Sequence, residues 1–192
     1  LFASLPYAKL QMRKLIQPAI ILAEKGFAIT EAEAHSLNMN ENAFRRLNTS
    51  PSAFVKSTPW KAGDTLKQPD LAKTLKRIRD KGMEGFYDGE TARMIVEEMQ
   101  RGKGLITADD LKNYKAKERK ALVFNYKNFT VITMPLSSSG GIVLQQMMGM
   151  VENYPLASYG SHSPQPIQLM VEVERRAYAD RAQFLGDADF VK

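Results

Sequence analysis

The stretch ALVFNYKNFTVITMPLSSSGGIVLQQM, residues 121–147, changes its pattern three times. Residues 121–126 and 129–134 are rich in β-branched and aromatic side chains, and they flank Lys127-Asn128. Two such runs around a two-residue turn predict a β-hairpin, although the turn carries no glycine. Pro135 ends the second run, and Ser137-Ser138-Ser139-Gly140-Gly141 follow. From Gly141 onward Val143, Leu144, Met147, Met148 and Val151 fall at helical spacing. The order is strand, turn, strand, Gly-rich junction, helix. A lone hairpin is not a complete sheet, so its edges need pairing from outside this segment.

Helices are expected on both sides of this stretch. Leu15, Ile16, Ala19, Ile20 and Ala23 give residues 9–25 a helical period. Pro18 should start or kink that helix, and Gly26 should stop it. Residues 31–47 read as one or two polar helices anchored by Leu37, Phe44 and Leu47. NTSPSAFVKSTPWKAGDTLKQPD reads as an irregular crossing pinned by Trp60. Leu71, Leu75 and Ile78 stripe a helix from Asp70 to Lys81. Another helix begins near Gly89, turns Ala92, Ile95, Val96 and Met99 inward, and ends at Gly102. In TADDLKNY, Thr107 is placed to cap the N–H of Asp110, and Asp109 and Asp110 suit the positive end of a helix. A final helix runs from Pro164 to Leu185, with Pro164 or Pro166 in its first turn. Gly186 and Asp187 then form a stop and turn. The fold class expected is α+β, a mostly helical segment with one β-hairpin. Its parts are a helical region at 1–118, the hairpin at 119–136 and two core helices at 137–192.

Composition excludes several functions. The chain has 192 residues and a net charge of +6, but its basic residues are scattered. The densest run, LAKTLKRIRDKG, lies on the outer side of an amphipathic helix, and no nucleic-acid motif accompanies it. No nucleic-acid partner is expected. With no cysteine there is no disulfide, thiolate metal site or cysteine nucleophile. The two histidines, His35 and His162, are far apart, which argues against a histidine metal site. No metal and no cofactor are expected. No apolar run is long enough to span a membrane. LFASLPYAKLQMRK lacks a secretory-signal pattern and does not start with Met, so the sequence is expected to begin inside a longer chain.

Two constellations are candidates for chemistry. The serine-glycine junction resembles an anion cradle, because a strand, a Gly-rich turn and a helix present backbone N–H groups. A phosphate loop also needs Lys-Ser/Thr after its second glycine, and here Ile142-Val143 follow Gly141. A serine nucleophile needs a base and usually sits in G-x-S-x-G, which does not occur. His162 has no spacing that ties it to Ser139, and in YGSHSPQP it reads as a loop or capping residue. The simpler reading is that Ser138 or Ser139 caps the next helix while the glycines allow close packing. The second constellation is EVERRAYADRAQFLGDADF. Glu174, Tyr178 and Arg181 share a helical face, and Glu172 and Arg176 are spaced to pair. Asp180 and Arg181 are expected among largely buried residues. Paired carboxylates suit acid–base work, but the arginine near each acid favours a structural ion-pair network.

LIQPAIILAEKGFAIT, GFYDGETARMIVEEMQRGKGLITADDLKNYKA, MPLSSSGG and RAYADRAQFLGDADFVK occur in an order and spacing that resembles γ-glutamyltranspeptidase, also called glutathione hydrolase. The resemblance runs from Leu15 to Lys192. One departure is Leu136-Ser137, where the family usually continues a proline run. The resemblance implies an N-terminal-nucleophile hydrolase with an αββα core, made as a proenzyme that cleaves itself into large and small subunits. A threonine freed at the start of the small subunit attacks the γ-glutamyl amide, with its own α-amino group as base. Water or an acceptor amine then resolves the γ-glutamyl enzyme.

The resemblance further implies that this chain is the later part of the large subunit. The nucleophile belongs to a Thr-Thr-His type motif downstream of the LGDPDFV block, and neither His35 nor His162 follows a threonine. The arginine for the substrate carboxylate lies upstream, and the other substrate contacts lie in the small subunit. No catalytic, substrate-binding or metal residue is therefore assigned here, and the segment alone is expected to be inactive. Expected partners are the small subunit, glutathione and other γ-glutamyl compounds. The family implies a periplasmic or extracellular location. The alternative is an inactive family member that acts as a binding module. A serine hydrolase using Ser139 is a more distant one.

Overall fold

In the computed structural model, which describes residues 6–187 and 189–190, the described residues form nine α-helices and two two-stranded antiparallel sheets. They fall into two units, Leu1–Ala116 and Lys117–Lys192. This is the mostly helical α+β arrangement expected, with one addition in the first unit.

Helix α1 (Met12–Lys25) buries Ile16, Ile20 and Ala23. It runs through Pro18 and does not begin there. An interior proline removes one helical hydrogen bond and costs about 3 kcal/mol. Burial of Ile20, only 1% exposed, together with Ile16 and Ala23 offsets that cost. The partner helix is α4 (Pro69–Lys81), whose buried Ala72 lets the two backbones approach. Lys76 pairs with Glu24, and Arg79 Nη1 donates to Gln17 Oε1 at 3.1 Å, across the same seam.

The addition is a short ladder between β1 (Phe27–Ala28), just after α1, and β2 (Thr65–Leu66), which lies inside the stretch expected to be irregular. Gly26 makes it possible. Its φ is +84°, and a Cβ there would lie 2.5 Å from Thr65 Cγ2 and 2.8 Å from the Leu66 carbonyl. Ile29, Ala34 and Leu66 form a small core, with Phe27, Leu37, Phe54 and Trp60 packed on it. Trp60 pins the crossing as expected. Its Nε1 donates to the Phe54 carbonyl at 2.8 Å, and its backbone exchanges two hydrogen bonds with the Asn38 side chain. Residues 31–47 are two helices, α2 (Glu31–Met39) and α3 (Glu41–Leu47). Leu47 is 71% exposed and is not an anchor. A helix of under two turns offers one good inward position, and Phe44 takes it against Phe54.

Helix α5 (Glu84–Tyr87) leads into α6 (Gly89–Arg101), where the buried Thr91 hydroxyl donates to the Gly85 carbonyl at 2.8 Å. Helix α7 (Ala108–Asn113) starts with the predicted cap: Thr107 Oγ1 accepts from the Asp110 N–H at 3.2 Å, and Asp110 returns the bond to the Thr107 N–H.

In the second unit β3 (Leu122–Tyr126) pairs with β4 (Phe129–Thr133), and Leu122 faces Thr133. Lys127 adopts φ 51°, so a lysine takes the left-handed turn position that glycine usually fills. Leu122, Phe124, Tyr126, Val131 and Thr133 are half-buried, while the cross-strand pair Val123–Ile132 is exposed. Helix α8 (Gly140–Val151) packs on α9 (Pro164–Phe184) through Val143, Val173 and Ala177. Pro164 opens α9, where no helical N–H is lost.

Candidate functional site

The junction between β4 and α8 carries the strongest candidate residues, all within the second unit. Ser139 is the residue before α8, but its backbone is already helical, with φ −71° and ψ −17°. A capping serine needs an extended backbone to aim its oxygen at the first-turn N–H groups. Ser139 makes no such bond, and neither it nor Ser138 caps α8 through its side chain. Instead, Ser139 Oγ accepts from Arg181 Nε at 2.8 Å. The close-packing role of the glycines does hold, at Gly141. A Cβ there would lie 2.1 Å from the Met134 carbonyl oxygen.

This geometry bears on the nucleophile reading. The partner of Ser139 is a guanidinium, which stays protonated and accepts no proton. It cannot serve as the general base that a serine nucleophile needs. His162 has its Nδ1 2.7 Å from Ser161 Oγ, in the loop before α9, where its φ is 60°. His35 is exposed on α2, in the first unit. Leu136, Ser137, Ser139, Arg181 and Leu185 line a depression of about 270 Å³ beside the junction.

The α9 constellation is looser than its spacing implied. Glu172 pairs with Arg175, Nη2 to Oε2 at 2.7 Å, and not with Arg176. The hydrogen bond from Arg175, then its charge, holds the Glu172 carboxyl below the usual range. Asp180 Oδ2 accepts from Gln146 Nε2 at 3.0 Å, which joins α9 to α8 without an arginine. The Arg181 guanidinium lies 5.9 Å from the Tyr178 ring centroid, and Glu174 has no ion-pair partner among the described residues. Asp180 and Arg181 are exposed, because the buried stripe of α9 is limited to Val173 and Ala177.

One cluster was not anticipated. Lys117 Nζ and Arg119 Nη2 each lie 2.7 Å from Asp189 Oδ2, and Arg119 Nη2 is 3.6 Å from Asp187 Oδ1. The hydrogen bonds from Lys117 and then Arg119 hold the Asp189 carboxyl below the usual carboxylate range. The only signal in the sequence was alternation, in the basic pair of KAKER and the acidic pair of GDADF. Among the described residues no group of three His, Cys, Asp or Glu side chains is placed to hold a metal ion. No helix among them is long and apolar enough to cross a membrane.

Residues 3–192 match the family model described as Gamma-glutamyltranspeptidase. The chain belongs to this family. It is 41% identical over 188 residues to the glutathione hydrolase proenzyme of Escherichia coli (strain K12), covering 97% of this chain and 32% of that protein. It is also 36% identical over 186 residues to the capsule biosynthesis protein CapD proenzyme of Bacillus anthracis, covering 96% of this chain and 34% of that one. The crystal structure of Helicobacter pylori gamma-glutamyltranspeptidase is similar with a TM-score of 0.92 at 39% identity, covering 99% of this chain and 55% of that chain. The chain thus spans about a third of the length of the curated family members it matches. The resemblance carried by its motifs is a membership of the gamma-glutamyltranspeptidase family, and its fold is that of the family's solved structures.

Proposed function

We propose that this chain is the later part of the large subunit of a γ-glutamyltranspeptidase. The observation that carries the reading is the match to glutathione hydrolase proenzymes along almost the whole chain, at about two-fifths identity. The parent enzyme cleaves the γ-glutamyl bond of glutathione. It passes the γ-glutamyl group to water or to an acceptor amine through a threonine that lies outside these residues. The threonine hydroxyl attacks the amide carbonyl, its proton passes to the α-amino group, and the amine leaves. Water or the acceptor then breaks the γ-glutamyl ester.

In this reading the residues described here are scaffold. The guanidinium partner of Ser139 supports that view, since it leaves the best local hydroxyl without a base. The exposed Val123–Ile132 face and the free edges of the hairpin are sites for strands and side chains from the rest of the protein. The precursor cleaves itself, the small subunit is the obligate partner, and the enzyme works in the periplasm or outside the cell. The whole reading frame tests this. Incubated with glutathione and glycylglycine, the purified protein should yield γ-glutamyl-glycylglycine by mass spectrometry. Absence of both that product and glutamate contradicts the reading.

A further inference from the structure

The cluster left unused by the proposed chemistry joins the approach to β3 with the turn after α9. Asp187 builds that turn. Its Oδ1 accepts from the Asp189 N–H at 3.0 Å, and its carbonyl accepts from the Phe190 N–H at 2.9 Å. Lys117 and Arg119 meet Asp189 from the other side, and Arg119 also faces Asp187. The bond from Arg119 to Asp189 links residues 70 positions apart. The Arg119 and Asp189 side chains are 30% and 32% exposed, the Lys117 side chain 64%. Solvent therefore screens Lys117 more than Arg119, and the arginine is the stronger member of the pair. One guanidinium nitrogen, Nη2, makes both contacts, a hydrogen bond to Asp189 and a longer ion-pair approach to Asp187. A guanidinium also keeps its charge and its donor direction fixed better than a lysine ammonium on its flexible stem.

We propose that Arg119 is a positioning residue: by clasping Asp189 and Asp187 it fixes the direction in which the chain leaves α9. Its consequence for processing rests on the function proposed above, where the threonine freed by self-cleavage lies beyond this turn. The clasp then sets where the downstream segment starts its path to the cleavage site. Arg119 acts through Asp187 and Asp189, and takes no part in bond making.

The test uses the full-length precursor as wild type, Arg119→Gln, Arg119→Lys and Asp189→Asn. Two quantities are read: hydrogen exchange at the Asp189 and Phe190 amides, with those of Val173 and Ala177 as internal reference, and the rate at which precursor converts to two subunits. Arg119→Gln should speed exchange at Asp189 and Phe190 about tenfold, the scale of one charge-assisted hydrogen bond, with α9 unchanged. It should slow conversion by a similar factor. Asp189→Asn should do the same, and Arg119→Lys should fall between. Unchanged exchange at the two amides overturns the proposal, as does an equal rise throughout α9, which would mean general loosening. Loosened amides with wild-type conversion overturn the processing consequence. A wild-type precursor that never converts contradicts the proposed function instead, and the exchange measurement still decides the clasp.

Discussion

Ser139 Oγ accepts a hydrogen bond from Arg181 Nε at 2.8 Å, so the residue directly before α8 is tied to the last turn of α9. The serine that looks most like a nucleophile is a fastening between two helices. Ser139→Ala should cost about 1 kcal/mol of stability, the net value of one hydrogen bond. It should leave any γ-glutamyl turnover of the whole enzyme within about twofold, which is under half a kcal/mol in the barrier. A fluorophosphonate probe should label neither form. Labelling of wild type that disappears in Ser139→Ala would revive the serine-hydrolase reading.

The two adjacent glycines should respond very differently to alanine. At Gly141 a Cβ would lie 2.1 Å from the Met134 carbonyl, so strand and helix must separate. Gly141→Ala should cost about 3 kcal/mol, at the upper end for overpacking. At Gly140 the nearest atom is Ser138 Oγ at 3.7 Å, an ordinary contact. Gly140→Ala should be close to neutral. Denaturant titration of the two variants reads the contrast directly, and similar midpoints would contradict it.

Much of this fold was legible because it repeats. The hairpin, the α4 and α6 helices and the Thr107 cap all show within a dozen residues of sequence, although on α4 Ala72 is buried and Leu71, expected in the apolar stripe, is 43% exposed. What failed to show depends on distant meetings or on backbone angles. Strands β1 and β2 are two residues each, too short to carry a period, and they exist because Gly26 turns α1 onto residues 65–66. A serine before a helix suits a cap by residue type, at Ser138 or Ser139, but the helical ψ of −17° at Ser139 points its oxygen elsewhere. The Arg119–Asp189 contact spans too much chain for any local pattern to reveal it.

Pro18 sits on the exposed side of α1, so its ring contributes little burial where it breaks the hydrogen-bond ladder. Pro18→Ala restores an N–H donor and should raise stability by about 2 kcal/mol. An increased unfolding midpoint with unchanged m-value is the expected result. A lower midpoint would mean that the proline ring makes a contact worth more than the helix bond.

Asp64 provides a pH test. Hydrogen bonds from Lys56 and then from the Lys61 N–H hold its carboxyl below the usual range. The folded state therefore favours the carboxylate. That contribution is complete above the unfolded value of about 3.9 and fades as pH falls through the lower folded value. Asp64→Asn should destabilise the protein at pH 7 and make progressively less difference below pH 4. A gap in melting temperature that stays constant from pH 7 to pH 3 would show that the side chain acts by shape alone.

The central claim is that these residues are scaffold for a threonine chemistry supplied elsewhere in the same precursor. The most direct measurement compares p-nitroaniline release from γ-glutamyl-p-nitroanilide by the purified full-length protein and by residues 1–192 alone. The full-length protein should split into two subunits and turn the substrate over, while residues 1–192 release nothing above buffer. Turnover by residues 1–192, or an intact and inert full-length protein, would contradict the account.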